Sequence, residues 1–172
     1  MISADYVRTM AAYNKWQNRS VYAAADGLND AERKKERGAF FGSIHATLNH
    51  LLWADQIWMS RFAGTPGPKA GSIPDSVNQI EDWQDLKRQR VAFDDIIAGW
   101  AEDLDPMWLK SSLTWFSKAT GREMTVANAL LAAHLFNHQT HHRGQVHAML
   151  TAAGAKPEDT DLMLLSTDEM QA

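Results

Sequence analysis

The sequence predicts an all-α chain, a four-helix bundle with a short hairpin or irregular loop before its last long helix. Three observations carry this expectation. Four long segments repeat their apolar residues at helical spacing, each is bounded by capping or breaking residues, and connections of mixed length join them. With 172 residues, 45% hydrophobic content and no internal repeat or domain boundary, one domain with a sizeable core is expected over residues 1–172.

The first helix begins at a cap supplied by Ser3 or Asp5 and runs to about Gly27. Its apolar stripe is Tyr6, Met10, Tyr13, Trp16, Val21 and Ala24. Asn29 and Asp30 then open the charged piece AERKKER, whose mixed signs predict a solvated turn of helix. A second helix starts at its cap Ser43 and ends by Gly64. It is apolar around most of its circumference, with one narrow polar wedge of His45, Asn49, Gln56 and Ser60, and His50 lies in the apolar arc. Asp55 lies there too and needs a partner. It either orients a site residue or anchors a neighbouring helix, and the anchor is the preferred reading.

Residues 64–76, GTPGPKAGSIPDS, carry three prolines and three glycines and predict a long surface loop that lines an opening. A third helix follows from about Ile80 to Leu104. Its core residues should be Trp83, Leu86, Val91, Phe93, Ile97 and Trp100, with Glu81, Asp82, Asp85, Lys87, Arg88 and Arg90 on a solvated face. Asp105–Pro106 breaks it. The β-prone pieces flanking Thr120–Gly121 predict the hairpin or irregular loop. Thr125 is the expected cap of the last long helix, Gly154 with Pro157 its end, and the apolar patch Leu162–Leu165 is expected to dock on the bundle.

The last helix carries HLFNHQTHHRGQVH at His134–His147, five of the seven histidines. At about 100° per residue, Leu130, Leu131, His134, Leu135, His138, His141, His142, Gln145, Val146 and Met149 share an arc of roughly 160°, and His147 falls outside it. Four histidines are therefore expected on a face that should be buried. His138 and His142 are four residues apart, so their imidazoles can reach one ion. Repeated burial of neutral imidazole leaves donors and acceptors to satisfy, which a metal does directly. A third ligand must come from another helix, and His50 is the candidate. Three histidines leave a coordination position for water, the pattern of a reactive site.

Other chemistries are excluded. There is no cysteine, hence no disulfide, thiolate site or cysteine nucleophile. No Glu-x-x-His pair supports a di-iron centre, no His-Glu-x-x-His a metalloprotease, and no glycine-rich strand-to-helix turn a phosphate cradle. A net charge of −4 argues against general affinity for nucleic acid or anionic membrane. The N-terminus MISADYVRTM lacks the pattern of a signal peptide, and no apolar run approaches the roughly 18 residues that span a bilayer. A soluble, cytoplasmic protein is expected.

Four stretches carry a resemblance: YNKWQNR at Tyr13–Arg19, FGSIHATLNHLLWAD at Phe41–Asp55, HLFNHQTHHRGQVHAML at His134–Leu150 and GAKPEDTDL at Gly154–Leu162. Together they resemble the DinB family of metal-dependent proteins, related to the YfiT-like hydrolases and thiol transferases. The resemblance implies a four-helix bundle holding a divalent metal on three histidines, matching His50, His138 and His142. Zinc or nickel are the foremost candidates, with cobalt and iron also compatible with three imidazoles and water. It implies further that His134 and His141 neighbour the site without ligating, that His45 is uninvolved, and that the protein is a homodimer. Gln145 either holds a metal-bound water or simply packs.

Three functions compete. The first is an enzyme that delivers a low-molecular-weight thiol, or water, to an electrophilic small molecule. The second is a non-catalytic, damage-inducible metal-binding protein of a stress response. The third is a bundle whose histidines bind metal adventitiously. DNA binding is disfavoured, because ERKKER is short and self-neutralised.

Overall fold

A computed structural model describes residues 2–118 and 120–166, which are mostly helical with one two-stranded antiparallel sheet. Helix α1 spans Ala4–Asp26, and its cap is Ser3, whose hydroxyl accepts from the Tyr6 amide. The short α2, Asp30–Lys34, is capped by Asn29. Helix α3, Ile44–Phe62, is capped by Ser43, which accepts from the Ala46 amide at 3.1 Å. The loop after it contains the single turn α4, Ile73–Ser76. Helix α5 spans Trp83–Glu102 and α6 spans Asn128–Ala152. Gly64 (φ 68°) and Gly154 (φ 82°) follow the ends of α3 and α6 in the left-handed region that terminates a helix.

The four long helices pack pairwise, α1 on α5 and α6, and α3 on α6 and α5. Leu48, Leu52, Leu86, Ile97, Leu135 and Leu150 fill the space between them. A buried polar layer crosses this apolar core. Arg90 donates to Asp55 Oδ2 at 2.7 Å and lies 2.9 Å from Asp94 Oδ1. Asp94 also accepts from the amide of Asn18 at 2.9 Å. Arg143 donates to the side-chain carbonyl oxygens of Asn14 and Gln139. All four long helices contribute to this layer, so Asp55 is an interhelical anchor.

That layer accounts for several departures from the sequence expectations. Arg90, expected on a solvated face, is 2% exposed, whereas Val91, expected in the core, is 63% exposed. The buried face of α1 is rotated from Tyr6 and Met10 toward Val7, Ala11, Asn14 and Asn18. In each case a polar side chain with partners on other helices takes the inner position, and apolar spacing along one segment cannot register it. Arg33 departs likewise from the solvated turn expected of AERKKER. It is buried, donates to the carbonyls of Ala25 and Leu28, and lies over the Trp83 ring.

Between α5 and α6 the hairpin alternative holds. Strand β1, Ser112–Ser117, pairs with β2, Arg122–Ala127, from Ser112↔Ala127 to Ser117↔Arg122. Thr125 is therefore not the cap of α6. It faces Thr114 across the hairpin, their hydroxyls 2.8 Å apart. The helix instead continues directly from β2, held by Asn128, which donates to the Trp108 carbonyl and the Ser111 hydroxyl.

The C-terminal tail also docks differently. Of the expected patch Leu162–Leu165, Leu162, Met163 and Leu164 are exposed and only Leu165 is half-buried, so most of it does not pack on the bundle. Residues 158–160 bind instead by polar contacts to α1. The Tyr13 hydroxyl donates to the Thr160 carbonyl, Gln17 to that of Asp159, and the Glu158 amide to Ser20. Among the described residues no helix is long and apolar enough to cross a membrane.

Candidate metal centre

Where α3 and α6 pack, they bring three histidines together. His50 comes from the middle of α3, and His138 and His142 from successive turns of α6. One ring nitrogen from each lies within 4.8 Å of the other two. His50 Nε2 and His138 Nε2 face one another at 3.3 Å. His50 and His142 are buried and His138 is half-buried.

The hydrogen bonds behind the rings fix which nitrogen faces inward. Ser76, at the end of α4, donates its hydroxyl proton to the Ile73 carbonyl at 2.6 Å, so its oxygen is left to accept from His50 Nδ1–H at 2.9 Å. The side-chain carbonyl of Gln145 accepts from His142 Nδ1–H at 2.9 Å. Both rings are thereby held in the tautomer whose Nε2 lone pair is free. Gln145 thus orients an imidazole, a role beyond the two the sequence left open.

The electrostatics agree with that protonation state. Burial, helped by the proximity of His142, pushes the His50 pKa down to about 4. Burial and the neighbouring imidazoles push His138 down to about 3. Burial also lowers His142, against the raising effect of its bond to Gln145. At neutral pH all three rings are uncharged, the form in which imidazole ligates a metal.

The donor set fits a divalent ion. Two nitrogens bound tetrahedrally at about 2.0–2.1 Å from one centre lie about 3.3 Å apart, the separation of the two facing Nε2 atoms. Three neutral nitrogens suit zinc, nickel or a related ion.

The other histidines fall into place around this group. His134 and His141, expected on the buried face, are exposed. The buried arc of α6 is rotated toward Phe136, Gln139 and Arg143, which leaves the histidine row at its rim. His134 packs against His138 (5.8 Å between ring centres) and Trp58 (5.2 Å), and His141 against His142 (4.7 Å). His45 belongs to another structure. It is buried, and with Asn49 it grips the backbone of Ile80 just before α5, so this part of the expected polar wedge is interior.

Two neighbours were not singled out from the sequence. Phe41 stacks on His50 at 3.9 Å and tilts against His142 at 5.2 Å. Ser76 ends the proline- and glycine-rich loop. Its place in that loop was the only signal available, since its partner lies 26 residues away.

A family model described as DinB family matches residues 1–171. The chain belongs to the DinB family. Protein DinB of Bacillus subtilis (strain 168) is 26% identical over 178 residues, covering 98% of this chain and 99% of that relative. No solved structure matches. Membership in the DinB family and the three-histidine group are both compatible with metal binding.

Proposed function

We propose that this chain holds a divalent metal, zinc or nickel foremost, on His50, His138 and His142, and is an enzyme that transfers a low-molecular-weight thiol, or water, to an electrophilic small molecule. The observation that carries this reading is the pair of inward-facing Nε2 atoms at 3.3 Å, with His142 completing the group. When bound, the ion supplies Lewis acidity to a sulfur or oxygen atom at its remaining position.

The rest is the work of the chain. Ser76 and Gln145 hold two of the rings in the ligating tautomer, burial keeps the three imidazoles neutral, and Phe41 shields one side of His50 from water. Thiol transfer is favoured over hydrolysis by the resemblance to the thiol-transferring relatives. The wider reading is a single domain with α1, α3, α5 and α6 as a four-helix bundle. It acts in the cytoplasm as a homodimer on small molecules, without nucleic acid or membrane partners.

A non-catalytic metal-binding role in a stress response is the second reading. It is favoured by Phe41, which packs against both His50 and His142 and covers part of the group.

Elemental analysis of the purified protein beside His50→Ala, His138→Ala and His142→Ala tests the site. About one ion per chain, lost in each variant, is the expected result. A parent that carries no metal and cannot be loaded would end the proposal. Cobalt substitution then separates the two roles: an absorbance change on adding a small thiol supports the enzyme, and its absence with every thiol and oxyanion supports the binder.

A further inference from the structure

Further along α3 from the three histidines, the structure presents a cation that no acidic group among the described residues neutralises. Arg61, in the last turn of α3, lies over two indole rings, its Cζ 4.7 Å from the Trp58 centroid and 5.1 Å from that of Trp115. Those rings are 5.8 Å apart and nearly perpendicular, one on α3 and one on β1. Arg61 is half-buried, yet none of its nitrogens is both sealed from solvent and unbonded. Among the described residues no carboxylate lies within ion-pair distance of it. The other inward-lying arginines are provided for. Arg33 and Arg37 have acidic neighbours, Arg90 has Asp55 and Asp94, and Arg143 has Asn14 and Gln139.

With its Cζ packed over both rings and no carboxylate in reach among the described residues, the guanidinium has N–H donors left for a planar or tetrahedral anion. Burial is the sole cause displacing its pKa, downward, and the group stays charged at neutral pH. The shelf is continuous with the histidines: the Trp58 ring meets His134, and His134 meets His138. Trp58 lies eight residues beyond His50 along α3, about 12 Å at 1.5 Å per residue.

We propose that the Trp58–Arg61–Trp115 shelf binds the anionic headgroup, a carboxylate or a phosphate, of an extended small molecule whose other end reaches the His50–His138–His142 group. The inference rests on the enzyme reading above and adds to it the class of substrate. The ligand is bifunctional, with an anion and a reactive sulfur or electrophilic centre on the order of 10 Å apart.

The test compares ω-mercapto-octanoate with ω-mercapto-octanol, two thiols of similar length that differ in the charge of the far end. Each is titrated into the cobalt-loaded protein and followed by absorbance. The carboxylate should bind about tenfold more tightly, the worth of one charge-assisted contact. Arg61→Gln should remove that preference while leaving the affinity for the alcohol unchanged, and Arg61→Lys should retain part of it. Equal affinities in the parent, or a preference that survives Arg61→Gln, overturns the proposal.

Octanoate and octyl phosphate, which carry no thiol, test the shelf by itself on metal-free protein. They should shift the indole N–H resonances of Trp58 and Trp115 in the parent and not in Arg61→Gln, and the stronger of the two identifies the headgroup. These shifts are expected even if no thiol reaches the metal, so failure of the enzyme reading is distinguishable from failure of the shelf. No shift with either anion overturns the shelf. If Arg61 only ties the hairpin to α3, Arg61→Gln lowers the melting temperature and changes neither comparison.

Discussion

Asp55 accepts from Arg90 at 2.7 Å in the middle of the protein, where the two side chains are 0% and 2% exposed. The pair joins α3 to α5, and Asp94 on the next turn of α5 shares the guanidinium. An ion pair in this setting is not a large net source of stability, because desolvation offsets most of the attraction. Its loss from one side only is costly, since the surviving charge stays buried.

Asp55→Ala should therefore destabilise the fold by about 3–5 kcal/mol, with Asp55→Asn milder because an acceptor oxygen remains. Urea denaturation of parent and variants measures this. A loss in Asp55→Ala below about 1 kcal/mol, the worth of an exposed pair, would show that Asp94 alone suffices to compensate Arg90.

The metal-free protein should lose stability in mild acid. His50 and His138 have folded-state pKa values near 4 and 3, below the ordinary histidine value of about 6.5. Below that ordinary value the unfolded chain binds protons that the folded protein refuses. The stability held above about pH 6.5 is then lost progressively as the pH falls toward 4. Melting curves at stepped pH in the presence of a chelator should show the decline, and His138→Leu should make it shallower. A parent and variant with parallel profiles would exclude His138 as a source.

Ser76→Ala should weaken metal binding more than it weakens the fold. It removes the acceptor behind His50 Nδ1–H, and outer hydrogen bonds of this kind are worth about 10–100-fold in metal affinity. Competition against a chromophoric chelator gives the affinity, and a melting curve in chelator gives the fold. An unchanged affinity would mean that α3 alone orients the ring.

Zinc added to the metal-free protein should raise its melting temperature, since a ligand that binds only the folded state stabilises by about 2.7 kcal/mol at a hundred times its dissociation constant. His142→Ala should abolish the response. A variant that responds like the parent would place the ion elsewhere.

The tail contact predicts a smaller effect. Tyr13→Phe deletes the hydroxyl that donates to the Thr160 carbonyl and should cost about 0.5–1.5 kcal/mol. Faster proteolysis beyond Gly154 should accompany it. Equal proteolysis rates would show that Gln17 and Ser20 hold residues 158–160 without Tyr13.

The sequence by itself determined the features that local chemistry controls. Ser3 and Ser43 cap their helices because a hydroxyl just before a helix satisfies amides within its own first turn. Gly154 follows the end of α6 because a left-handed residue costs least at glycine. His138 and His142 share a face because the helix repeats every 3.6 residues. His50 was legible as their companion from its place in an apolar arc of another helix. Only the tertiary structure decided which polar groups lie inside and what they hold. Arg90 reads as a surface position along its own helix, and nothing along theirs singles out Asn14 or Arg143, yet each turns inward because its partner stands on another helix. The same holds for Ser76 behind His50, and for Arg61 between an indole of α3 and one of the hairpin. The reason is physical: a buried donor, acceptor or charge is tolerated only when its counterpart is in place. In this chain those counterparts come from distant segments, which meet only when the helices pack.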